Sequence, residues 1–213
     1  MSLEKDEELR QLAEIEGELG DRKSVDTALN RLNQLANEGS TKAMLKFAAL
    51  FEENQIFARD YSKVRECLEE ADKLGDEEAA YQLGRLYRLG LGVSQDSEMA
   101  LYYFQKSAKR GHSRAAYQAA VISLDLGWSE GGVKLLIKSI NAGISEARYD
   151  YAICLMNGEG VARDIEKAVR ILESCARDGD EAASERLAFM YKTGTLVPRN
   201  PEKAQYYKSL LML

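Results

Sequence analysis

Apolar and small residues recur at helical spacing along the stretch from Gly75 to Gly111. The first run has the three- and four-residue intervals of one helix face and contains Ala79, Ala80, Leu83, Gly84, Leu86 and Tyr87. The second run contains Met99, Ala100, Tyr103, Phe104, Ser107 and Ala108. Asp76 stands where it can cap the first helix, and either Asp96 or Ser97 can cap the second. Because the glycine-rich segment 90–93 turns the chain between the two runs, the stretch predicts an antiparallel helix pair.

This pattern repeats along the chain. A glycine followed four residues later by an alanine recurs at Gly39/Ala43, Gly75/Ala79, Gly111/Ala115, Gly143/Ala147 and Gly179/Ala183, with successive spacings of 36, 36, 32 and 36 residues. A period of this size is typical of a solenoid built from one supersecondary unit. We therefore predict an all-α fold, a single solenoid over 1–213 with about six antiparallel helix pairs. The predicted repeats are 39–74, 75–110, 111–142, 143–178 and 179–213, after a degenerate helix pair at 1–38.

Three places depart from the regular pattern. Residues 52–58 replace the glycine turn in the first full repeat, and the repeat 111–142 is shortened around Trp128. Trp128 has two interpretations, since it is either an interaction hot spot or a filler of the space that the shortening leaves. The last helix, from Pro201, ends in the apolar segment 210–213 with no polar cap after it. Either the native protein continues, or this end makes a self-association contact.

The residues of the clearest repeat match a known family. The string AAYQLGRLYRLGLGV, from Ala79 to Val93, together with Asp96, Ala100 and Ala108, closely resembles the Sel-1-like repeat, a relative of the tetratricopeptide repeat. The resemblance covers nearly the whole chain. It implies a right-handed α/α superhelix and an adaptor role, because proteins with this repeat commonly assemble complexes, often at membranes or in envelope and signalling pathways. It also implies that the first helix of each pair lines a concave groove.

The non-core positions of these first helices are the candidate binding residues. In chain order they are Tyr81, Arg85 and Arg88, then Tyr117 and Val121, then Tyr149 and Ile153, then Arg186, Phe189 and Lys192. An apolar and aromatic middle with cations on both sides favours an extended peptide or an amphipathic helix with acidic ends as the partner. The tyrosines have an alternative interpretation as packing residues between repeats. An alternative function is assembly of a bacterial envelope or secretion pathway, with self-association through the C-terminal helix.

Residues that could carry catalysis are few. His112 is the sole histidine and stands at a repeat junction, where a polar turn residue is expected. Cys67, Cys154 and Cys175 fall at core positions, although a bridge between Cys154 and Cys175 stays open. No paired-histidine zinc motif and no nucleophile with a partner base is present. We therefore predict that the protein is not an enzyme and needs no cofactor and no metal.

Charge and hydropathy narrow the partners further. The formal net charge of −6 disfavours nucleic acid and anionic membrane surfaces as partners, and a helical-repeat RNA reader would need a basic groove. No stretch of about 18 apolar residues is present, so we expect no membrane insertion. Residues 1–10 lack the apolar core of a secretory signal. This favours the cytoplasm, with an exported protein whose signal has been removed as the alternative.

Overall fold

The computed structural model describes residues 2–20, 24–53 and 56–211, and this part of the chain contains twelve α-helices and no strand. Of the residues discussed above, Asn54 and Gln55 in the replaced turn and Met212 and Leu213 in the apolar end lie outside these ranges. The chain divides into two compact units, Met1–His112 and Ser113–Leu213, called here the N-terminal unit and the C-terminal unit.

The N-terminal unit contains six helices: α1 Ser2–Leu19, α2 Val25–Asn37, α3 Thr41–Glu53, α4 Tyr61–Lys73, α5 Glu77–Leu89 and α6 Ser97–Arg110. The C-terminal unit contains another six: α7 Ala115–Asp125, α8 Ser129–Asn141, α9 Glu146–Asn157, α10 Ile165–Arg177, α11 Glu181–Thr193 and α12 Pro201–Leu210. Within each unit every helix packs against the next helix along the chain. This all-α arrangement of neighbouring helix pairs confirms the predicted α/α solenoid class.

Capping residues set the helix ends where the sequence predicts them in the pair α5/α6. The Asp76 carboxylate accepts the backbone N–H of Ala79 at 2.8 Å, and Asp96, rather than Ser97, accepts that of Met99 at 2.9 Å. Both helices end at a glycine in the left-handed region, with φ of 69° at Gly90 and 114° at Gly111. The cap and turn chemistry therefore fixes each helix length before any packing is considered.

The second glycine of the turn brings one helix pair close to the preceding pair. A Cβ atom added at Gly160, where φ is +65°, would lie 2.2 Å from the carbonyl oxygen of Ser129 at the start of α8. In the N-terminal unit, a Cβ atom at Gly92 would likewise lie 2.4 Å from the Cβ atom of Tyr61 at the start of α4. In the last repeat the same position is Leu196, which keeps a φ of 65°. These glycines are therefore explained by backbone approach between pairs.

The two units differ in how their apolar side chains cluster. In the C-terminal unit one buried cluster runs from Ala120 on α7 to Tyr207 on α12. In the N-terminal unit, Ile15 and Leu32 belong to one cluster and Leu68 belongs to another. Burial of this kind contributes about 25 cal/mol for each Å² of apolar surface, so these clusters provide most of the stabilisation of each unit.

A buried carboxylate connects α4 to α6 in the N-terminal unit. Asp72 is only 6% exposed, and its two oxygens accept from Lys106 Nζ and Arg110 Nη1, each at 2.6 Å. Arg110 also donates to the backbone carbonyl oxygens of Asp72 and Asp76, both at 2.9 Å. Because each charge has a partner, the ion pairs and hydrogen bonds compensate for the desolvation penalty of burying the carboxylate.

Candidate functional site

The candidate residues of the N-terminal unit are engaged in contacts within that unit. The Tyr81 ring stacks on the His112 ring with centroids 4.2 Å apart and tilts against Phe104 at 5.4 Å. His112 Nε2 lies 3.0 Å from a carboxylate oxygen of Glu78, so the histidine fixes one face of the tyrosine. Tyr81 is half-buried as a result. This geometry agrees with the packing interpretation of that tyrosine.

Arg85 belongs to a chain of polar side chains on α3 and α5. Its guanidinium donates to the Gln82 side-chain oxygen and lies 3.9 Å from Glu52. Gln82 in turn donates to Glu78 at 2.5 Å. Arg88, one turn further along α5, is exposed. The cationic end that the sequence predicts here is therefore partly neutralised by carboxylates of the same unit.

In the C-terminal unit the predicted aromatic residues lie half-buried against the core. Tyr117, Tyr149 and Ile153 all pack on the single apolar cluster, and Val121 is half-buried. The Tyr117 hydroxyl donates to Asp150 at 2.9 Å. Burial raises the pKa of the Asp150 carboxyl, although the hydrogen bond from the tyrosine opposes that shift. A partner at this part of the surface would therefore contact the exposed edges of packed tyrosine rings rather than fully exposed side chains.

The three candidate residues on α11 lie at the surface of the C-terminal unit. Arg186, Phe189 and Lys192 are all exposed, and the Phe189 side chain is 55% accessible. Phe189 and Lys192 line a groove of about 420 Å³ between α11 and α12, whereas Arg186 does not line it. The groove also includes Arg199 and Lys208, which the sequence reasoning missed. Aligning the second helices of the repeats would have found Lys208, since it occupies the position of a buried leucine in the preceding repeat.

Trp128 lies apart from these residues, at the N-cap position of α8. Its backbone N–H donates to the Ser123 carbonyl oxygen at 2.7 Å, which closes the shortened turn, while the side chain is 52% exposed. The indole therefore does not fill space left by the shortening. Exposure of a large aromatic ring at a turn is compatible with a binding role.

The cysteines behave as core residues. Cys154 and Cys175 are buried, Cys67 is half-buried, and all three are free thiols, so the bridge left open by the sequence is absent between Cys154 and Cys175. Burial raises the pKa of the Cys154 thiol to about 11 and also raises the pKa values of Cys67 and Cys175. Thiols of this kind are poor nucleophiles near neutral pH.

Two further searches bear on function. Within residues 2–20, 24–53 and 56–211, no three His, Cys, Asp or Glu side chains come together as a metal site would require. Among the helices of the same ranges, none combines the length and the apolar character needed to cross a membrane.

The C-terminal helix exposes less apolar surface than its sequence suggests. Tyr207 is buried and stacks on Tyr191 with ring centroids 5.9 Å apart, and Leu210 is half-buried against the core. Tyr206 remains 50% exposed, and Lys208 is also exposed. Most of the predicted apolar end within the described residues therefore belongs to the core of its own unit.

Comparison with known families decides what the repeats are. The family model described as the Sel1 repeat matches three segments, residues 77–112, 145–180 and 182–207. These segments cover the helix pairs α5/α6, α9/α10 and most of α11/α12. The chain contains Sel1-like repeats. Sel1-like repeat proteins are typically protein-interaction adaptors, and their fold is a scaffold for interaction rather than for catalysis.

Known proteins similar to this Sel1-like chain are mostly longer. An uncharacterized protein of Neisseria meningitidis serogroup B is 27% identical over 171 residues, which is 79% of this chain and 36% of that protein. Chitin synthase regulatory factor 2 of Schizosaccharomyces pombe is 29% identical over 129 residues, covering 55% of this chain and 25% of the factor. The chain thus spans between a quarter and somewhat over a third of these relatives.

A solved structure supports the Sel1-like fold independently. A protective antigen of uropathogenic Escherichia coli, described as displaying an SLR fold, superposes with a TM-score of 0.80 at 19% sequence identity. The match covers 95% of this chain and 45% of the antigen. At this level of identity the likeness concerns the fold alone.

Proposed function

We propose that this Sel1-like repeat protein is a non-enzymatic adaptor that assembles a complex by binding a peptide or helix of a partner protein. The proposed contact surface in the C-terminal unit is the row Val121, Ile153 and Phe189, which occupy equivalent positions on α7, α9 and α11. The observation that carries the proposal is the exposure of Phe189, which is 55% accessible. Arg186 and Lys192 flank it with positive charge.

Burying such a ring is energetically favourable for a complex. Full burial of a phenylalanine side chain contributes about 1.5–3 kcal/mol, and interface hot spots are commonly single aromatic anchors surrounded by polar residues. The flanking cations orient an acidic ligand without adding much affinity when exposed to water. In the N-terminal unit, Tyr81, Arg85 and Arg88 are proposed as an auxiliary contact, although the Arg85 guanidinium already has partners in its own unit.

Photo-cross-linking in the native cells tests this surface. A photoreactive phenylalanine analogue is placed at position 153 or 189, with position 170 as the control. Arg170 is exposed on the second helix α10 of the same unit. We expect a discrete protein adduct from positions 153 and 189 and none from position 170. Equal adducts at all three positions, or none at any, would contradict the proposal.

The captured partner, once identified and purified, allows a quantitative test. Phe189→Ala should weaken its binding by about tenfold or more, as expected for loss of an aromatic anchor. Tyr206→Ala is the matched control, because Tyr206 is also an aromatic residue exposed to about half of its area but lies on α12. Unchanged affinity of the Phe189→Ala variant would remove Phe189 from the site.

Assembly of an envelope or secretion pathway by self-association remains the alternative proposal. It would depend on Tyr206 and on the residues after Leu211, since Tyr207 and Leu210 pack on their own unit. Enzymatic and RNA-binding roles form no part of the proposal, and neither does a metal or a cofactor. Sedimentation velocity of the purified chain tests this alternative, which requires a dimer or larger species that Tyr206→Ser dissociates.

A further inference from the structure

The groove between α11 and α12 has an apolar floor. Ala188 and Phe189 contribute from α11, and Pro201 and Ala204 contribute from α12. Both alanines are half-buried rather than covered. Small side chains at these positions allow another backbone to approach closely, as at contacts between helices.

One repeat earlier, the equivalent positions are covered. Counting back 36 residues from the two alanines, from Lys192 and from Lys208 gives Ala152, Ala168, Met156 and Leu172. These four residues are between 0% and 5% exposed. They belong to the same core cluster as Leu187 and Met190 of α11, and α11 packs against α10. The equivalent groove one repeat earlier, between α9 and α10, is therefore covered by a helix, namely α11.

The groove between α11 and α12, called here the terminal groove, has more charged residues on its rim than the equivalent groove one repeat earlier. Lys192 replaces Met156 and Lys208 replaces Leu172, so two cations stand where a following repeat of the same kind would require apolar residues. Arg199 adds a third cation. Its counterpart Arg163 donates its Nε to the Met156 carbonyl oxygen at 2.9 Å, but Arg199 makes no such bond.

None of the three cations has a hydrogen bond or an ion pair within residues 2–20, 24–53 and 56–211. This contrasts with Lys203 on the same helix, which lies 3.1 Å from the Tyr191 hydroxyl and 3.5 Å from Glu173. In a chain of net charge −6, three unpaired cations around an apolar floor form a local positive patch.

We propose that the terminal groove between α11 and α12 binds an acidic amphipathic helix of a partner protein. The apolar face of the helix lies on Ala188, Phe189 and Ala204, and its carboxylates pair with Lys192, Arg199 and Lys208. This inference rests on the proposed function, because it assumes that the ligand is a protein. It adds the chemical character of that ligand, an acidic amphipathic helix, and the place where it binds. It does not require contact at Val121 or Ile153.

Two synthetic peptides test the proposal on the purified full-length chain. Each has about fourteen residues, close to four helical turns, with the same leucine and alanine face. One carries glutamate at the flanking positions and the other carries glutamine. We expect fluorescence anisotropy to show that the glutamate peptide binds about tenfold more tightly at low salt, as three partly exposed ion pairs together allow. In 0.5 M NaCl the preference should fall severalfold, to about twofold, because salt screens exposed charges.

Charge reversal provides the matched control. The double variant Lys192→Glu/Lys208→Glu should lose the preference for the glutamate peptide. The double variant Lys134→Glu/Arg170→Glu changes the net charge equally at exposed positions outside the groove, and it should keep the preference. Circular dichroism confirms that both variants remain folded.

Three results would overturn this inference. Equal binding of the two peptides would mean that the groove takes an apolar helix, as from a further repeat. Failure of both peptides to bind would mean that the cations form a solvated cap. A dimer in sedimentation velocity that Lys192→Glu/Lys208→Glu abolishes would assign the groove to a second copy of the chain. In each case the cross-linking at position 153 still tests the proposed function separately.

Discussion

In the C-terminal unit one apolar cluster continues from Ala120 to Tyr207, whereas in the N-terminal unit the buried side chains form separate clusters. The difference is clear at one equivalent position. Asp72, buried on α4 and bound to Lys106 and Arg110, stands where the C-terminal unit has Ile140, which packs on its core. At this position the repeat thus carries a buried, charge-paired carboxylate in one unit and an apolar side chain in the other.

The largest predicted effect breaks the charged connection. Asp72→Ala leaves Lys106 and Arg110 without their carboxylate, so we expect the N-terminal unit to lose about 3–5 kcal/mol of unfolding free energy. Amide hydrogen exchange of peptides from α4 to α6 measures the loss. Asp178→Ala is the control, because Asp178 forms the exposed pair with Arg148 at 2.8 Å, and this change should cost less than about 1 kcal/mol.

A companion variant separates charge from packing. Asp72→Leu/Lys106→Met/Arg110→Met replaces the whole network by apolar side chains, and we expect its stability to lie within about 2 kcal/mol of the parent protein. If the triple variant were as unstable as Asp72→Ala, the network would be required for more than the pairing of its charges.

An intermediate effect concerns the contact between the helix pairs α7/α8 and α9/α10 in the C-terminal unit. Gly158→Ala places a side chain at a φ of +73° without a severe clash and should cost about 1–2 kcal/mol. Gly160→Ala carries the same backbone penalty and also collides with the Ser129 carbonyl oxygen, so we expect a further loss of about 1–3 kcal/mol. Chemical denaturation followed by Trp128 fluorescence compares the two variants. Equal losses would show that the turn moves away from α8 at little cost.

The smallest predicted effect is a difference between the two units in how their stability changes at alkaline pH. Burial raises the pKa of the Cys154 thiol from 9.0 to about 11, and burial with nearby negative groups raises the pKa of Tyr103 from 10.0 to about 12. Since each neutral form is favoured in the folded state, the stabilisation is present below the unfolded pKa and is lost as pH rises towards the folded one. The C-terminal unit, where burial raises the pKa of both Cys154 and Cys175, should therefore weaken more steeply above about pH 9 than the N-terminal unit, where Cys67 is the thiol with a raised pKa and Tyr103 adds its effect only from about pH 10.

Hydrogen exchange between pH 8 and 11, corrected for intrinsic exchange rates, measures this difference. The Cys154→Ala variant should show a shallower pH dependence of stability in the C-terminal unit and no change in the N-terminal unit. A pH dependence in the variant as steep as in the parent would assign the effect to other groups.

Local features were the most predictable from the sequence. Asp76, Asp96 and Gly90 carry their own turn and cap chemistry, so the helix ends followed from residue type and spacing. Partners distant in sequence were not predictable. The contact of Asp72 with Arg110 joins residues 38 apart and does not recur in the other repeats, so the repeat pattern contains no signal for it.

The residues of the candidate site also include some that the sequence predicted and some that it did not. The sequence identified Phe189 and Lys192 from their place in the repeat, but the exposure of Trp128 depended on how the shortened turn closed. The stacking of Tyr81 on His112 depended on a side-chain geometry that a position in the repeat does not determine. Lys208 was accessible to sequence comparison, because it places a charge where the preceding repeat has Leu172.

Within each unit, packing of every helix on the next one along the chain also has a kinetic consequence. Native contacts in such a unit close short loops, and folding of proteins rich in local contacts is fast. Folding of a repeat array can begin in any pair and spread to its neighbours. A nascent chain can thus bury one pair as soon as the next emerges from the ribosome, which shortens the time for which apolar surface is open to aggregation.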